Sequence, residues 1–206
     1  MLFKRIVDLL LSTAILLLTS PVMVVVALLV LIASGRPVLF SQVRMGRNFR
    51  KFRILKFRTM VVQNNGPPIT VAGDKRITRL GAILRRTKLD ELPQFWNVIR
   101  GDMSIVGPRP EIPEYVELFR ERYQRILALR PGITDIASIS YRDEERLLIN
   151  CNNPLIEYRE RVLPAKLDLA DKYIRERSLA DDLRIMYESA FVAFWPRNRI
   201  EITPPR

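Results

Sequence analysis

Two adjacent carboxylates, Asp90 and Glu91, are followed by Leu92-Pro93. Proline suits the first turn of a helix, where its missing N–H would have had no partner. A helix over Pro93–Arg100, stopped by Gly101, would hold both acids at its positive end, where a carboxylate stays ionised and reactive at neutral pH. Beyond it, Gly101-Asp102 and Gly107-Pro108-Arg109-Pro110 read as two rigid turns, the second fixing Arg109 between prolines. Asp102 is read as a turn residue. An ionised carboxylate, a second beside it and a stiffly held guanidinium point to phosphoryl chemistry. The competing reading is that Asp90 and Glu91 only cap a helix, since acids are common in first turns. The pair alone does not decide between them.

The elements that must position these groups are framed by composition. A chain of 206 residues suits one domain with its own core. A net charge of +12 calls for anionic partners: nucleic acid, phosphorylated substrates or a lipid surface. The absence of histidine excludes His-based catalysis and His-ligated metals. Cys151 is the sole cysteine, which excludes an internal disulfide and a thiolate metal site.

Leu9 to Gly35 contains no charged residue. As a helix it would extend roughly 40 Å, enough to cross a bilayer, and it is too long for a signal-peptide core. Ser20-Pro21 at its centre predicts a bend, with Ser20 partly re-satisfying the freed backbone. Both flanks are basic: Lys4 and Arg5 before it, and eight arginines and lysines with no acid over residues 36–60 after it. Basic flanks stay cytoplasmic, so a straight span would send one of them to the wrong side, whereas a broken helix returning by the same face satisfies both. A kinked span with a strong C-terminal charge bias is the alternative.

Residues 36–60 alternate apolar and basic residues around Gly46-Arg47-Asn48, the pattern of a short hairpin. Their charge and four phenylalanines could serve nucleic acid, but next to an apolar segment the anionic lipid surface is the better partner. Val61–Lys75, with Asn64-Asn65-Gly66-Pro67-Pro68, reads as a loop. A short helix from Thr78 to Arg86 carries Arg85 towards Asp90. Apolar residues at helical spacing predict one amphipathic helix over Pro113–Leu129. Two more helices follow, Pro154–Arg177 bent near Pro164, and Leu179–Phe194. The latter has a stripe of Leu179, Leu183, Met186, Ala190, Phe191 and Phe194, followed by Trp195, Arg197 and Arg199, which suits packing on the core or lying at a membrane surface.

The run Leu89-Asp90-Glu91-Leu92-Pro93-Gln94, with Asn97-Val98, Gly101-Asp102-Met103-Ser104 and Gly107-Pro108-Arg109-Pro110, resembles the signature of the bacterial sugar transferases. These are the small monotopic polyprenol-phosphate phosphoglycosyl transferases. The likeness extends to Phe40, Gln42, Arg44, Gly46, Lys56-Phe57-Arg58-Thr59-Met60, Arg85, Arg130-Pro131-Gly132-Ile133-Thr134, and Tyr173, Ser178 and Asp182-Leu183. It also matches Ser20-Pro21 to a re-entrant helix break, with Lys4 and Asp8 near the helix start. The pattern departs at Asp135-Ile136-Ala137-Ser138 and Ser140-Tyr141-Arg142, where many members have Gly-Leu-Ala-Gln and Asn-Gly-Arg; only the arginine position is kept, at Arg142.

The resemblance implies an α+β, mainly helical fold with a re-entrant membrane hairpin over residues 1–35 and a cytoplasmic catalytic module over 36–206, containing a small β-hairpin and amphipathic interface helices. It implies transfer of a sugar-1-phosphate from a UDP-sugar to polyprenol phosphate with release of UMP, at the bacterial inner membrane, opening the assembly of a surface glycan. By position, Asp90 would be the nucleophile of a two-step covalent route, Glu91 would serve the second step, and both would hold Mg²⁺. Arg85, Arg109 and Arg142 would bind substrate phosphate. Anionic membrane lipids are expected partners, a homodimer is a candidate assembly and nucleic acid is not expected. The alternatives are direct transfer in a ternary complex and a non-enzymatic, membrane-bound basic adaptor.

Overall fold

In the computed structural model, which describes residues 2–61, 69–149 and 151–194, the apolar run forms one helix, α1 (Leu2–Ser34). Its most apolar 18-residue window has a mean hydropathy of 3.0, so by length and composition α1 can cross a membrane. The helical run continues through Ser20-Pro21 rather than separating into two helices there. Pro21 has no N–H to give Leu17, and the Ser20 hydroxyl donates to that carbonyl instead, at 2.8 Å.

Both ends of α1 are held by the rest of the chain. Near its start, Arg5 donates to Val98 O at 2.8 Å and Ile99 O at 3.2 Å. Asp8 is buried, accepting from Ser104 Oγ at 2.7 Å and Ile105 N at 3.3 Å. Near its end, Val26 and Val30 pack with Phe57 and Leu84. Arg58 donates to the carbonyls of Ser34, Gly35 and Arg36, satisfying acceptors that the last helical turn leaves orphaned. Between these anchor points Leu17, Leu18, Val24 and Val25 are exposed.

Strands β1 (Leu39–Met45) and β2 (Lys51–Phe57) form the expected antiparallel hairpin, Leu39 opposite Phe57 and Met45 opposite Lys51. Helix α2 (Arg79–Arg86) starts where its cap signal lies, with Thr78 Oγ1 accepting from Gly81 N at 2.9 Å. A Cβ on Gly81 would lie 2.0 Å from Thr59 O, so only glycine allows this approach. Helix α3 (Gln94–Arg100) ends at Gly101, whose φ of 90° is the left-handed C-cap that glycine favours.

The Arg130–Thr134 segment supplies a strand. β3 (Ser104–Val106) pairs in parallel with β4 (Gly132–Thr134). The single helix expected between them is two, α4 (Pro113–Leu118) and α5 (Arg120–Ile126), because Phe119 leaves helical geometry at φ −120°, ψ 38°. The predicted apolar face survives the kink: Val116, Tyr123, Ile126 and Leu127 are buried.

After β4 come α6 (Ile136–Ser140), α7 (Glu144–Leu148), α8 (Pro154–Glu157), α9 (Leu163–Glu176) and α10 (Leu179–Phe194). The irregularity expected near Pro164 is a π-helical turn over Tyr158–Val162, on the side where proline withholds its N–H. The α10 stripe is divided between two faces. Ile185 is buried and Met186 packs on the core, while Leu179, Leu183, Tyr187 and Phe191 are exposed. Asn64–Pro68, Trp195, Arg197 and Arg199 lie outside the described residues.

One core cluster gathers Met45, Val116, Tyr123, Ile126, Leu163 and Leu167. A second, of Ile54, Val98, Met103, Ile105, Tyr173 and Ile185, joins β2, α3, β3, α9 and α10. The described chain is thus mainly helical α+β, with the two-stranded hairpin and the parallel pair as its only sheets among these residues.

Candidate active site

Lys88 takes a left-handed φ of 58°, and Leu89–Glu91 make a single 3-10 turn before α3 begins. That turn separates the two acids. Asp90 is 5 % exposed and its Oδ1 has no hydrogen-bond partner; neither the 3-10 turn nor α3 has a side-chain cap. A capping carboxylate would accept a helix N–H, so the capping alternative does not describe Asp90.

Glu91 faces cations. Its Oε1 lies 2.8 Å from Lys56 Nζ and 3.6 Å from Arg109 Nη2. Lys56 comes from β2, and Asn97 of α3 locks that strand in place. Asn97 is fully buried, donates to Arg53 O at 2.8 Å and accepts from Leu55 N at 3.0 Å. Arg109 is placed through its own backbone, its N–H donating to Asp135 Oδ2 at 3.1 Å. The other oxygen of Asp135 caps α6 through Ser138 N at 2.7 Å. The segment that departs from the family pattern therefore supplies the residue that seats Arg109.

Arg85 pairs with Glu145 at 2.7 Å and donates to Thr59 Oγ1 at 3.2 Å, and its charge reaches Asp90. Arg142 stands half-buried on the turn after α6 and makes no hydrogen bond or ion pair with another described residue. Asp102 accepts from Asn97 Nδ2 at 3.3 Å, bonding the same side chain that clamps β2.

The proton affinities of the two acids are pushed in opposite directions. Burial raises Asp90 above the usual carboxylate range and Glu91 adds to this, against a downward pull from Lys56. Burial also acts upward on Glu91, but Lys56, Arg109 and Lys88 together overcome it and hold that carboxyl far below the usual range. Lys56 is itself lowered, by burial first and then by Arg109, with Glu91 opposing. Both acids were expected to stay ionised at the positive end of α3; cations hold Glu91 so, whereas burial of Asp90 outweighs the pull of Lys56. Such a divergence between neighbouring acids marks sites with distinct roles for each.

Among the described residues no group of three or more acidic, thiol or imidazole side chains is placed to hold a metal. Asp90 and Glu91 nonetheless suit a hard divalent cation that takes one or two carboxylates and completes its shell from phosphate and water. The unpartnered, buried Asp90 Oδ1 is the acceptor such an ion would use.

Lys56, Asn97, Gln94 and Asp135 were not assigned site roles by sequence reasoning. Gln94 is buried with its Nε2 unpartnered, one turn beyond Asp90. The first three stand in the runs that carry the family resemblance, so their positions were the available signal; nothing local marked Asp135.

The family model described as bacterial sugar transferase matches residues 1–196. The chain is 42 % identical over 199 residues to a UDP-glucose:undecaprenyl-phosphate glucose-1-phosphate transferase of Escherichia coli K12, covering 94 % of this chain and 40 % of that protein. It is 36 % identical over 188 residues to a protein of the same name from Caulobacter vibrioides, covering 89 % of this chain and 66 % of the relative. It is 44 % identical over 146 residues to the exopolysaccharide production protein PSS of Rhizobium leguminosarum bv. phaseoli, covering 66 % of this chain and 72 % of the relative. The chain thus spans 40 % of the length of the Escherichia coli relative. With the Asp90–Glu91 pair, its cationic partners and nearly the whole chain matched, this protein belongs to the bacterial sugar transferase family.

Proposed function

We propose that this chain is a phosphoglycosyl transferase that moves a sugar-1-phosphate from a UDP-sugar to a polyprenol phosphate, releasing UMP. The observation that carries the reading is the buried, unpartnered carboxylate oxygen of Asp90 beside a Glu91 already neutralised by Lys56 and Arg109. The named activities of the Escherichia coli and Caulobacter relatives support the same reaction class.

Asp90 is the nucleophile. An Asp90 oxygen forms a bond to the sugar-bearing phosphorus as the bond from that phosphorus to the UMP oxygen breaks, and UMP leaves with the electron pair. An oxygen of the lipid phosphate then attacks the same phosphorus, releasing the Asp90 carboxylate and giving a polyprenol diphosphate-linked sugar. Glu91 orients the incoming lipid phosphate, with Lys56 and Arg109 fixing its direction. Arg109, Arg85 and Arg142 take up diphosphate charge. Mg²⁺, held by Asp90 and Glu91, would supply charge neutralisation at the diphosphate. Direct transfer in a ternary complex is the alternative order of events.

The module over residues 36–206 sits on the cytoplasmic face of the bacterial inner membrane, with α1 entering and leaving by that face. Support comes from the anchoring of both ends of α1 on one body, through Arg5 and Asp8 at one end and Val26, Val30 and Arg58 at the other. The glycan begun in this way belongs to the cell surface.

The test is UMP release by the full chain in nanodiscs with undecaprenyl phosphate and a panel of UDP-sugars. At least one donor should give lipid-dependent UMP. Folded, lipid-embedded protein that releases none with any donor overturns the reading.

A further inference from the structure

Away from Asp90 and Glu91, a cavity of about 290 Å³ opens between the start of α1, the end of β3, the Ala128–Arg130 segment and the start of α10. Lys4, Arg5, Arg47, Arg130 and Arg177 line it, against only two acids, Asp8 and Asp182. Both acids are consumed internally. Asp8 accepts from Ser104 Oγ and Ile105 N, and Asp182 accepts from Tyr173 OH and Lys4 Nζ, each at 2.6 Å.

The four arginines are bound differently. Arg5, Arg47 and Arg130 donate to the backbone carbonyls of Val98 and Ile99, Ala128, and Gly101 respectively. None of the four forms an ion pair with a described carboxylate. Carbonyls orient a guanidinium without neutralising it, so the cations lining the cavity outnumber its acids. Burial and the charges of Arg5 and Arg47 lower the proton affinity of Arg130, as such crowding requires.

Leu179 lines the cavity and is exposed. On the same two helices Leu2, Phe3, Ile6 and Leu10 of α1 and Leu183 and Tyr187 of α10 are also exposed. The Lys4–Asp182 ion pair ties the two helix starts together at the cavity. Fixed cations in a cavity between two helices that expose aliphatic side chains are the chemical complement of a lipid phosphate.

We infer that this cavity binds the phosphate headgroup of an anionic membrane phospholipid, at a site separate from the catalytic pair, with acyl chains lying against the exposed faces of α1 and α10. The site would seat the protein at a defined depth and favour anionic membranes, independently of any transfer reaction.

The experiment titrates the purified full chain, in a neutral maltoside detergent, with phosphatidylglycerol or phosphatidylcholine and counts bound lipid by native mass spectrometry. Wild type should retain phosphatidylglycerol over phosphatidylcholine. Arg47→Gln with Arg177→Gln, both exposed, should weaken phosphatidylglycerol by roughly fivefold per arginine and leave phosphatidylcholine unchanged. Arg177→Gln alone, whose side chain bonds to no described group, carries the test if the double variant loses helical circular dichroism. Unchanged phosphatidylglycerol affinity in the folded variant overturns the site. Competition by inorganic phosphate at matching concentrations would make it a free-phosphate site, and preference for undecaprenyl phosphate would make it an acceptor site; either result overturns the phospholipid assignment. UMP release, measured alongside with saturating substrates, should be unaffected by Arg177→Gln, so the two proposals fail separately.

Discussion

Lys56 Nζ lies 2.8 Å from Glu91 Oε1, joining the end of β2 to the 3-10 turn that carries the acidic pair. The same lysine is the strongest downward influence on Asp90, so one ammonium serves both acids. Replacing Lys56 by Met leaves Glu91 with Arg109 and the charge of Lys88, and removes that pull on Asp90. Stability should fall by roughly 1–3 kcal/mol, below the cost of breaking a fully buried pair because Arg109 remains and water reaches the site. If Asp90 reacts as the anion, the acidic limb of UMP release should lie above the ordinary carboxylate range in wild type. It should move to higher pH in Lys56→Met; a pH–rate profile in both proteins measures this, and a coincident limb would count against an ionised Asp90.

The two acids should separate into two half-reactions. Asp90→Asn keeps shape but loses the attacking charge, so neither UMP burst nor sugar-phosphate adduct should form with donor alone, a loss of at least about 10³-fold. Glu91→Gln should retain adduct formation better than lipid-dependent turnover. Intact-protein mass after mixing with donor, without acceptor, reads both; an adduct undiminished in Asp90→Asn removes Asp90 from the role.

Asp135→Ala should act on Arg109 without touching substrate. Losing the α6 cap costs about 1 kcal/mol, and freeing the Arg109 backbone should raise KM for the donor more than it lowers kcat. Asp135→Asn keeps one acceptor oxygen for the two N–H groups and should recover only part of the loss.

Local signals were the legible ones. Thr78 as a helix start, Gly101 as a stop and the Gly46-Arg47-Asn48 turn each act within a few residues; the structure has a helix beginning after Thr78, one ending at Gly101 and the hairpin. Long-range partners were not legible in the same way. Lys56 meets Glu91 only because the β-hairpin register and the Asn97 clamp bring residues 35 apart together. The Phe119 kink and the β3–β4 pairing likewise depend on what packs against them. At Gly132, a Cβ would lie 2.2 Å from Gly107 N, so the Gly107-Pro108 and Pro131-Gly132 segments meet closely, a contact that neither announces alone.

Turnover should require a divalent cation. Two phosphates facing two carboxylates in a site partly closed to water repel strongly without one. Extensive chelation with EDTA should abolish UMP release and Mg²⁺ should restore it; full activity in rigorously metal-free protein would contradict this.

Topology should respond to Ser20-Pro21. With both ends of α1 held, tags placed before Lys4 and after Arg206 should be labelled from the cytoplasmic side only. Ser20→Leu with Pro21→Leu removes the proline from the middle of α1 and should shift part of the population to an outward N-terminal tag. Outward labelling of the unmodified protein would contradict entry and exit by one face.

The clamps at the two ends of α1 also bear on the kind of membrane that suits this protein. A helix that spans must match its apolar length to the full hydrocarbon thickness, and tilts or thins the bilayer when it cannot. Arg5 and Arg58 fasten opposite ends of α1 to the rest of the chain. If α1 enters and leaves by one face, as proposed, its seating depends on the leaflet it enters, and acyl-chain length across the bilayer becomes a weak variable. A series of nanodiscs differing only in bilayer thickness should therefore leave UMP release nearly flat, where a spanning enzyme would show an optimum.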